Sequence, residues 1–168
     1  MKDSRPVKVP IPVSVRLSTE QCPKTQEEEE DMSRVPYESA INSLMYAMVY
    51  TRPNISHAVG VLSRFMSKPE KEHWTAVKRV FRYLHGTTDY GLCYQGRPGL
   101  DRVLDIHGFV DVDWVRDLDQ RRSTSGYVFN LFGGAVSCMS KKQTVVALST
   151  IEAEYIVATH ASKEVVWL

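Results

Sequence analysis

The chain has 168 residues, 43% of them hydrophobic and 24% charged, which is the balance of a folded domain rather than a disordered one. A formal net charge of +1 excludes overall charge as an argument for a nucleic-acid partner, so that argument must rest on local charge. Cys22, Cys93 and Cys138 are widely spaced with no Cys-x-x-Cys pair, which speaks against a zinc site or a disulfide framework. No run approaches the roughly 18 apolar residues of a membrane span.

At the N-terminus Lys2, Arg5 and Lys8 flank the short run Val9–Val13, which Pro10 and Pro12 interrupt, so it makes a poor signal peptide. Residues 1–36 are expected to form an extended tail. Pro6, Pro10, Pro12, Pro23 and Pro36 oppose a helix, and the acidic block Glu27–Asp31 is expected to be solvated, as a linker or as a docking tail for a basic partner.

From residue 37 to residue 86 the pattern predicts three short amphipathic helices. Ile41, Leu44, Met45 and Met48 make the first stripe. Pro53 opens the second helix, with Ile55, Ala58, Val59, Leu62, Phe65 and Met66 facing inward. The third buries Trp74, Val77, Phe81 and Leu84 and ends at Gly86 as a C-cap. Its other face aligns Lys71, Lys78 and Arg82 within about 20° of one line, with Arg79 beside them. That face suits a phosphate backbone, and it equally suits an ordinary wet face.

After Gly86 the period becomes two. Strands are expected at Tyr90–Gln95, Val103–Val115, Gly126–Phe132 and Ala135–Ser140, with Gly133-Gly134 joining the last two as a hairpin. Val145–Leu148 extends or returns the last strand. Ser149 or Thr150 caps a final helix with Glu152 in its first turn. The fold class is therefore α+β, a three-helix segment followed by a partial, mainly antiparallel sheet and one C-terminal helix. Three regions follow: the tail 1–36, the helical segment 37–86 and a sheet domain 87–168.

Two acidic clusters carry the chemistry. On a strand, Asp111 and Asp113 share a face, where they repel unless a cation or an arginine lies between them. A plain exposed edge would also tolerate them. On the last helix the projection sets Glu154 within a stripe of Val157, Ala158, Ala161, Val165 and Leu168, and sets Glu152 almost opposite. A carboxylate on a buried stripe needs a partner. The alternatives are a metal shared with Asp111, a salt bridge to Arg121 or Arg122, or a helix end reached by water.

The segments YESAINSLMYAMVYTRPNISHAVGVLSRFMS, EHWTAVKRVFRYLHGTTDYGLCY, DVDWVRDLDQRRSTSGYVF and VVALSTIEAEYIVAT resemble the end of copia-type retrotransposon Pol polyproteins, where the reverse transcriptase passes into ribonuclease H. The resemblance implies a ribonuclease H-like domain over 87–168 and the reverse-transcriptase tail over 37–86. It implies that Asp111 and Glu154 correspond to the first aspartate and the helix glutamate of a two-Mg²⁺ site, with Asp113 a further possible ligand. The third and fourth aspartates of that pattern would follow Leu168, and the polymerase aspartates would precede Met1. The expectation is thus of an incomplete site, with no cofactor held by these residues and Mg²⁺ bound only if the site were completed.

Read as a free-standing chain, it also resembles secreted RxLR-class effectors of oomycete plant pathogens. That resemblance implies a non-catalytic protein that acts by binding, is secreted into the host cell, meets an unidentified host plant factor and dampens defence or cell death. Cleavage of RNA in RNA–DNA hybrids by a Pol segment is the alternative, with hybrid as partner and an intracellular location. A decayed retroelement reading frame is the third. None of them involves a membrane.

Overall fold

A computed structural model describes residues 4–12, 14–95, 106–115 and 117–168. The chain divides into two compact units, Met1–Gly91 and Leu92–Leu168.

The first unit is helical. Helices α1 (Gln26–Ser33), α2 (Tyr37–Tyr50), α3 (Ser56–Leu62) and α4 (Lys71–His85) follow one another, with short 3₁₀ turns at Thr19–Gln21, Pro53–Ile55 and Ser63–Phe65. Its core is built from Tyr37, Ile41 and Leu44 of α2, Ile55, Ala58, Val59 and Leu62 around α3, and Ala76, Val77, Val80 and Tyr83 of α4. The Tyr37 hydroxyl donates to the Leu62 carbonyl at 2.9 Å, which ties the start of α2 to the end of α3. Burial, with a smaller contribution from Cys22, pushes the Tyr37 phenol well above its ordinary range.

Two expectations for this unit are corrected. The acidic block does not run extended. Thr25 and Glu28 form a reciprocal capping box, and the block is the helix α1 with Met32 buried. Backbone N–H groups of Lys24 and Thr25 bond the Glu28 carboxylate at 2.9 and 3.2 Å, holding its pKa below the usual carboxylate range. Such an N-terminus carries positive partial charge, which is why acidic residues favour it. The segment before α1 packs as well, with Val7, Ile11 and Leu17 against the core. The second correction concerns α4. Its innermost face is His73, Ala76, Val77, Val80 and Tyr83, while Trp74, Phe81 and Leu84 are half-buried. Gly86 is the C-cap, as expected.

A buried arginine closes the unit. Arg52, 9% exposed, donates to the Thr87 carbonyl at 2.8 Å and to the Thr87 hydroxyl. Its Nε reaches Asn54 at 3.4 Å, and Asn54 in turn donates to the Tyr83 hydroxyl at 2.6 Å. The guanidinium also lies 5.9 Å from the Tyr83 ring centroid. It sits at the C-terminal ends of α2 and α4, where carbonyls and helix dipoles favour a cation.

The second unit is a three-stranded antiparallel sheet with one helix. Strands β1 (Ile106–Asp113), β2 (Thr124–Leu131) and β3 (Gly134–Lys142) lie in that order, followed by α5 (Thr150–Trp167). The β2–β3 turn is Phe132-Gly133, with φ of 50° and 85°. Both residues are left-handed, as a two-residue hairpin requires, and glycine takes one of them without strain. The expected hairpin is therefore present, one residue earlier than the Gly133-Gly134 pair. Gly108 is required for another reason, since a Cβ there would overlap the Phe129 ring.

Residues 92–95 form no strand, although the Gln95 N–H bonds the Phe132 carbonyl at 2.8 Å and the Tyr94 hydroxyl bonds the Ala135 carbonyl at 2.8 Å. They line the hairpin without continuing the ladder. Residues 145–148 are a bend rather than a strand. Of the long strand expected from Val103, positions 103–105 lie outside the described residues. Ser149 caps α5 through the Glu152 N–H at 3.1 Å, and Glu152 bonds back to the Leu148 N–H at 2.7 Å.

Candidate functional site

Asp111 and Glu154 are both exposed. The helix meets the sheet through Ala153, Val157 and Ala161, not through the stripe centred on Glu154; Ala158, Val165 and Leu168 are exposed too. The apolar residues of the last turn, Val165 and Leu168, stay in water here, so they do not mark the buried face.

Gln143 shows which sheet face α5 covers. It is 2% exposed and donates to the Ser125 hydroxyl at 2.9 Å and to the Ala153 carbonyl at 3.0 Å. At the other end Ser137 donates to Glu164 at 2.6 Å. Desolvation, then the Glu164 carboxylate, raises the Tyr127 phenol beside them. Ser125, Tyr127 and Ser137 therefore face the helix. Cross-strand partners share a face and neighbours alternate. Ser125 pairs with Val112, so Val112 lies under α5, and Asp111 and Asp113 project from the opposite face.

Asp111 and Glu154 thus occupy the same end of the sheet but do not share a face. Among the described residues no three His, Cys, Asp or Glu side chains are grouped to hold a metal ion. Mg²⁺ demands a near-octahedral oxygen shell, and two carboxylates so placed do not fit it.

The cations divide into two groups. On α4, Lys71 pairs with Asp31 at 3.1 Å and neighbouring Lys68 pairs with Glu29 at 3.2 Å, so the acidic helix docks along this edge. The Asp31 hydrogen bond and charge raise the Lys71 pKa. Arg82 donates to the Arg5 carbonyl at 2.7 Å. Arg79 is half-buried with its Nε out of water, and Lys78 is exposed. The four expected residues do share one helix side, but two of them already hold intramolecular partners.

The second group lies beyond β1. Residue Asp117, 8% exposed, accepts from the Gln120 N–H at 3.1 Å and pairs with Lys142 at 3.4 Å. Its backbone exchanges bonds with Arg122 and Arg121 at 3.2 and 3.0 Å. Lys142 also reaches Gln120 at 3.0 Å. This loop presents Arg121 and Arg122, while β3 adds exposed Lys141. Neither arginine meets Glu154 or any other carboxylate among the described residues, so the expected salt bridge to the glutamate is not formed.

Over all 168 residues the chain is 52% identical to the retrovirus-related Pol polyprotein from transposon TNT 1-94 of Nicotiana tabacum, covering 12% of that protein. The chain belongs to the copia-type retrotransposon Pol family. It is also 36% identical, again over its full length, to the Pol polyprotein from transposon RE2 of Arabidopsis thaliana, covering 11% of it. Over 137 residues, 82% of this chain, it is 52% identical to secreted RxLR effector protein 161 of Plasmopara viticola and covers 94% of that protein. The chain thus spans about an eighth or less of the Pol relatives and nearly all of the effector. No protein-family model matches the chain, and no solved structure does. No helix among the described residues is long and apolar enough to cross a membrane.

Proposed function

We propose that the chain acts by binding, as the nucleic-acid-holding segment of a copia-type Pol protein in which residues 37–86 end the reverse transcriptase and 87–168 begin a ribonuclease H-like domain. The observation that carries this reading is the 52% identity to a Pol polyprotein across all 168 residues. Binding rather than cutting is the reading taken because Asp111 and Glu154, both exposed, do not share a face of the sheet. No step is routed through a metal. On this reading Asp111 and Glu154 are the portion of the acidic pattern that these residues supply. The test is anisotropy of a labelled RNA–DNA hybrid titrated with residues 1–168 at several salt concentrations. Salt-dependent binding is expected, and no binding at low salt would sink the proposal.

A second reading has its own support, the near-complete coverage of an RxLR effector at 52% identity. In that reading the chain is secreted, meets a host plant factor and dampens defence. Expression in leaf cells challenged with a death elicitor tests it. Reduced necrosis is expected, and necrosis equal to an empty-vector control counts against it.

A further inference from the structure

We infer that the water-facing side of α5 is a self-association surface, on which a second copy of this chain lays its own α5 antiparallel about a two-fold axis. The inference goes beyond the nucleic-acid reading above and does not rest on it.

Three observations carry it. The first is an uncovered face. Helix α5 turns Ala153, Val157 and Ala161 to the sheet. On its other side Ile151, Tyr155, Ala158, Thr159, Ser162 and Val166 fall within about 50° of one line at the α-helical repeat, and all are exposed. The exposure of Ile151, Tyr155 and Val166 is 62%, 72% and 87%. Tyr155, Ala158, Thr159, Ser162 and Val166 line one shallow groove together with Lys163, so they share a single surface. Contiguous apolar surface of this kind marks a contact with another molecule.

The second is shape. The middle of the face is small, with Ala158, Thr159 and Ser162, and the bulkier Ile151, Tyr155 and Val166 lie towards its ends. Turned end for end about a point between Ala158 and Thr159, the face sets Tyr155 opposite Ser162 and Ile151 opposite Val166. A large side chain then meets a smaller one at each level, and the small centre lets the two helices approach closely.

The third is charge. Glu152 and Lys163 are eleven residues apart, about three turns, so they border the face on the same edge. In an antiparallel pair with a two-fold axis, like edges lie against each other, and every contact is made twice. Each Glu152 therefore comes beside the Lys163 of the second copy. Lys163 has no acidic partner among the described residues. Glu152 uses one oxygen on the Leu148 N–H at 2.7 Å and keeps the other for the lysine. Glu154 lies on the opposite edge, at the rim, where it stays hydrated. A partner of one charge sign would match only one member of the Glu152 and Lys163 edge. A membrane surface selects borders rich in Lys and Arg, whereas two glutamates and one lysine border this face. The chain's own copy matches both signs. One helix face per copy is a small interface, so the association is weak, with dissociation in the micromolar range.

Sedimentation equilibrium of the full chain, from about 1 μM to about 1 mM, tests the inference. The mass is expected to rise from that of one chain towards that of two. Tyr155→Arg, at an exposed position, should stay monomeric over the same range and keep the parent's melting temperature. Glu152→Lys and Lys163→Glu should each weaken self-association by about three- to thirtyfold, since each lost pair counts twice. Mixed together, those two variants should dimerise as tightly as the parent, because both pairs return with exchanged signs. Mixing would not rescue a variant that had merely unfolded. A parent that is monomeric at every concentration overturns the inference, and so does a Tyr155→Arg variant that dimerises like the parent. A mixture that fails to restore dimers overturns the antiparallel arrangement and the inference with it. Capture of a monomeric parent by phosphatidylserine vesicles would assign the face to a membrane instead.

Discussion

The two units treat their cations in opposite ways. In the first, four cations are held internally: Arg52 is buried against Thr87, Asn54 and Tyr83, Lys68 and Lys71 meet the acidic helix, and Arg82 holds a backbone carbonyl. In the second, one lysine is paired through a buried aspartate, and Arg121 and Lys141 are left facing water. A basic stripe in a sequence is therefore not yet a binding surface. What decides is whether the fold supplies its anions first.

The largest effect that would break this comparison is on stability. Arg52→Met removes a buried guanidinium and strands the buried Thr87 carbonyl, so the first unit should lose about 2–4 kcal/mol. Urea unfolding checks it when Trp114 and Trp167 are replaced by Phe so that Trp74 reports alone. An unchanged midpoint would mean the arginine is not the clamp described.

Next is Gln143→Ala, which cuts the links to Ser125 and Ala153 and should cost the second unit about 1–3 kcal/mol. With Trp74→Phe, the fluorescence of Trp114 and Trp167 follows that unit. Loss of stability in the first unit instead would contradict the division into two.

A pH series gives a smaller, signed effect. Burial raises the Tyr37 phenol, so the folded state holds this proton more tightly than the unfolded state. Stability is unaffected by this group below about pH 10 and falls as pH rises above it. Tyr37→Phe should lie lower below about pH 10, having lost the bond to Leu62 by about 1 kcal/mol, but should lack that alkaline fall. Parallel curves for the two proteins would contradict the assignment.

The smallest change sharpens the comparison most. Asp31→Asn removes an exposed partner, so stability should not move measurably. Lys71 is then released, and the salt slope of hybrid binding should steepen by up to about one. A flat response would mean that α4 lies away from nucleic acid whatever its charge.

Much of the fold was legible in the sequence because its signals are local. The spacing of Ile41 and Leu44, the cap at Ser149 with Glu152, Gly86 at the end of α4 and the glycine of the hairpin each act within a few residues, and all occur. The helix α1 was legible in principle, since Thr25 and Glu28 are a capping-box pair, but a run of five acidic residues also reads as a solvated linker. Contacts between distant residues left no local mark. Nothing in the sequence around Arg52 announces Thr87, and Gln143 resembles any loop glutamine until Ser125 and Ala153 surround it.

The acidic site follows the same rule. Alternation correctly put Asp111 and Asp113 on one face, but which face α5 covers depends on the register of three strands. The helical stripe put Glu154 on the wrong face because three of its members, Ala158, Val165 and Leu168, are apolar yet exposed. A glutamate that does reach the sheet, Glu164, stands three residues after buried Ala161 and could have been found from that spacing alone.

On the proposed reading these residues hold nucleic acid without cutting it. The direct measurement incubates a labelled RNA–DNA hybrid with purified residues 1–168 in Mg²⁺ and in Mn²⁺, beside Asp111→Asn and Glu154→Gln, and reads binding and strand length in the same samples. Bound, full-length hybrid is expected in all three proteins. Cleavage by the parent chain that vanishes in both variants would contradict it.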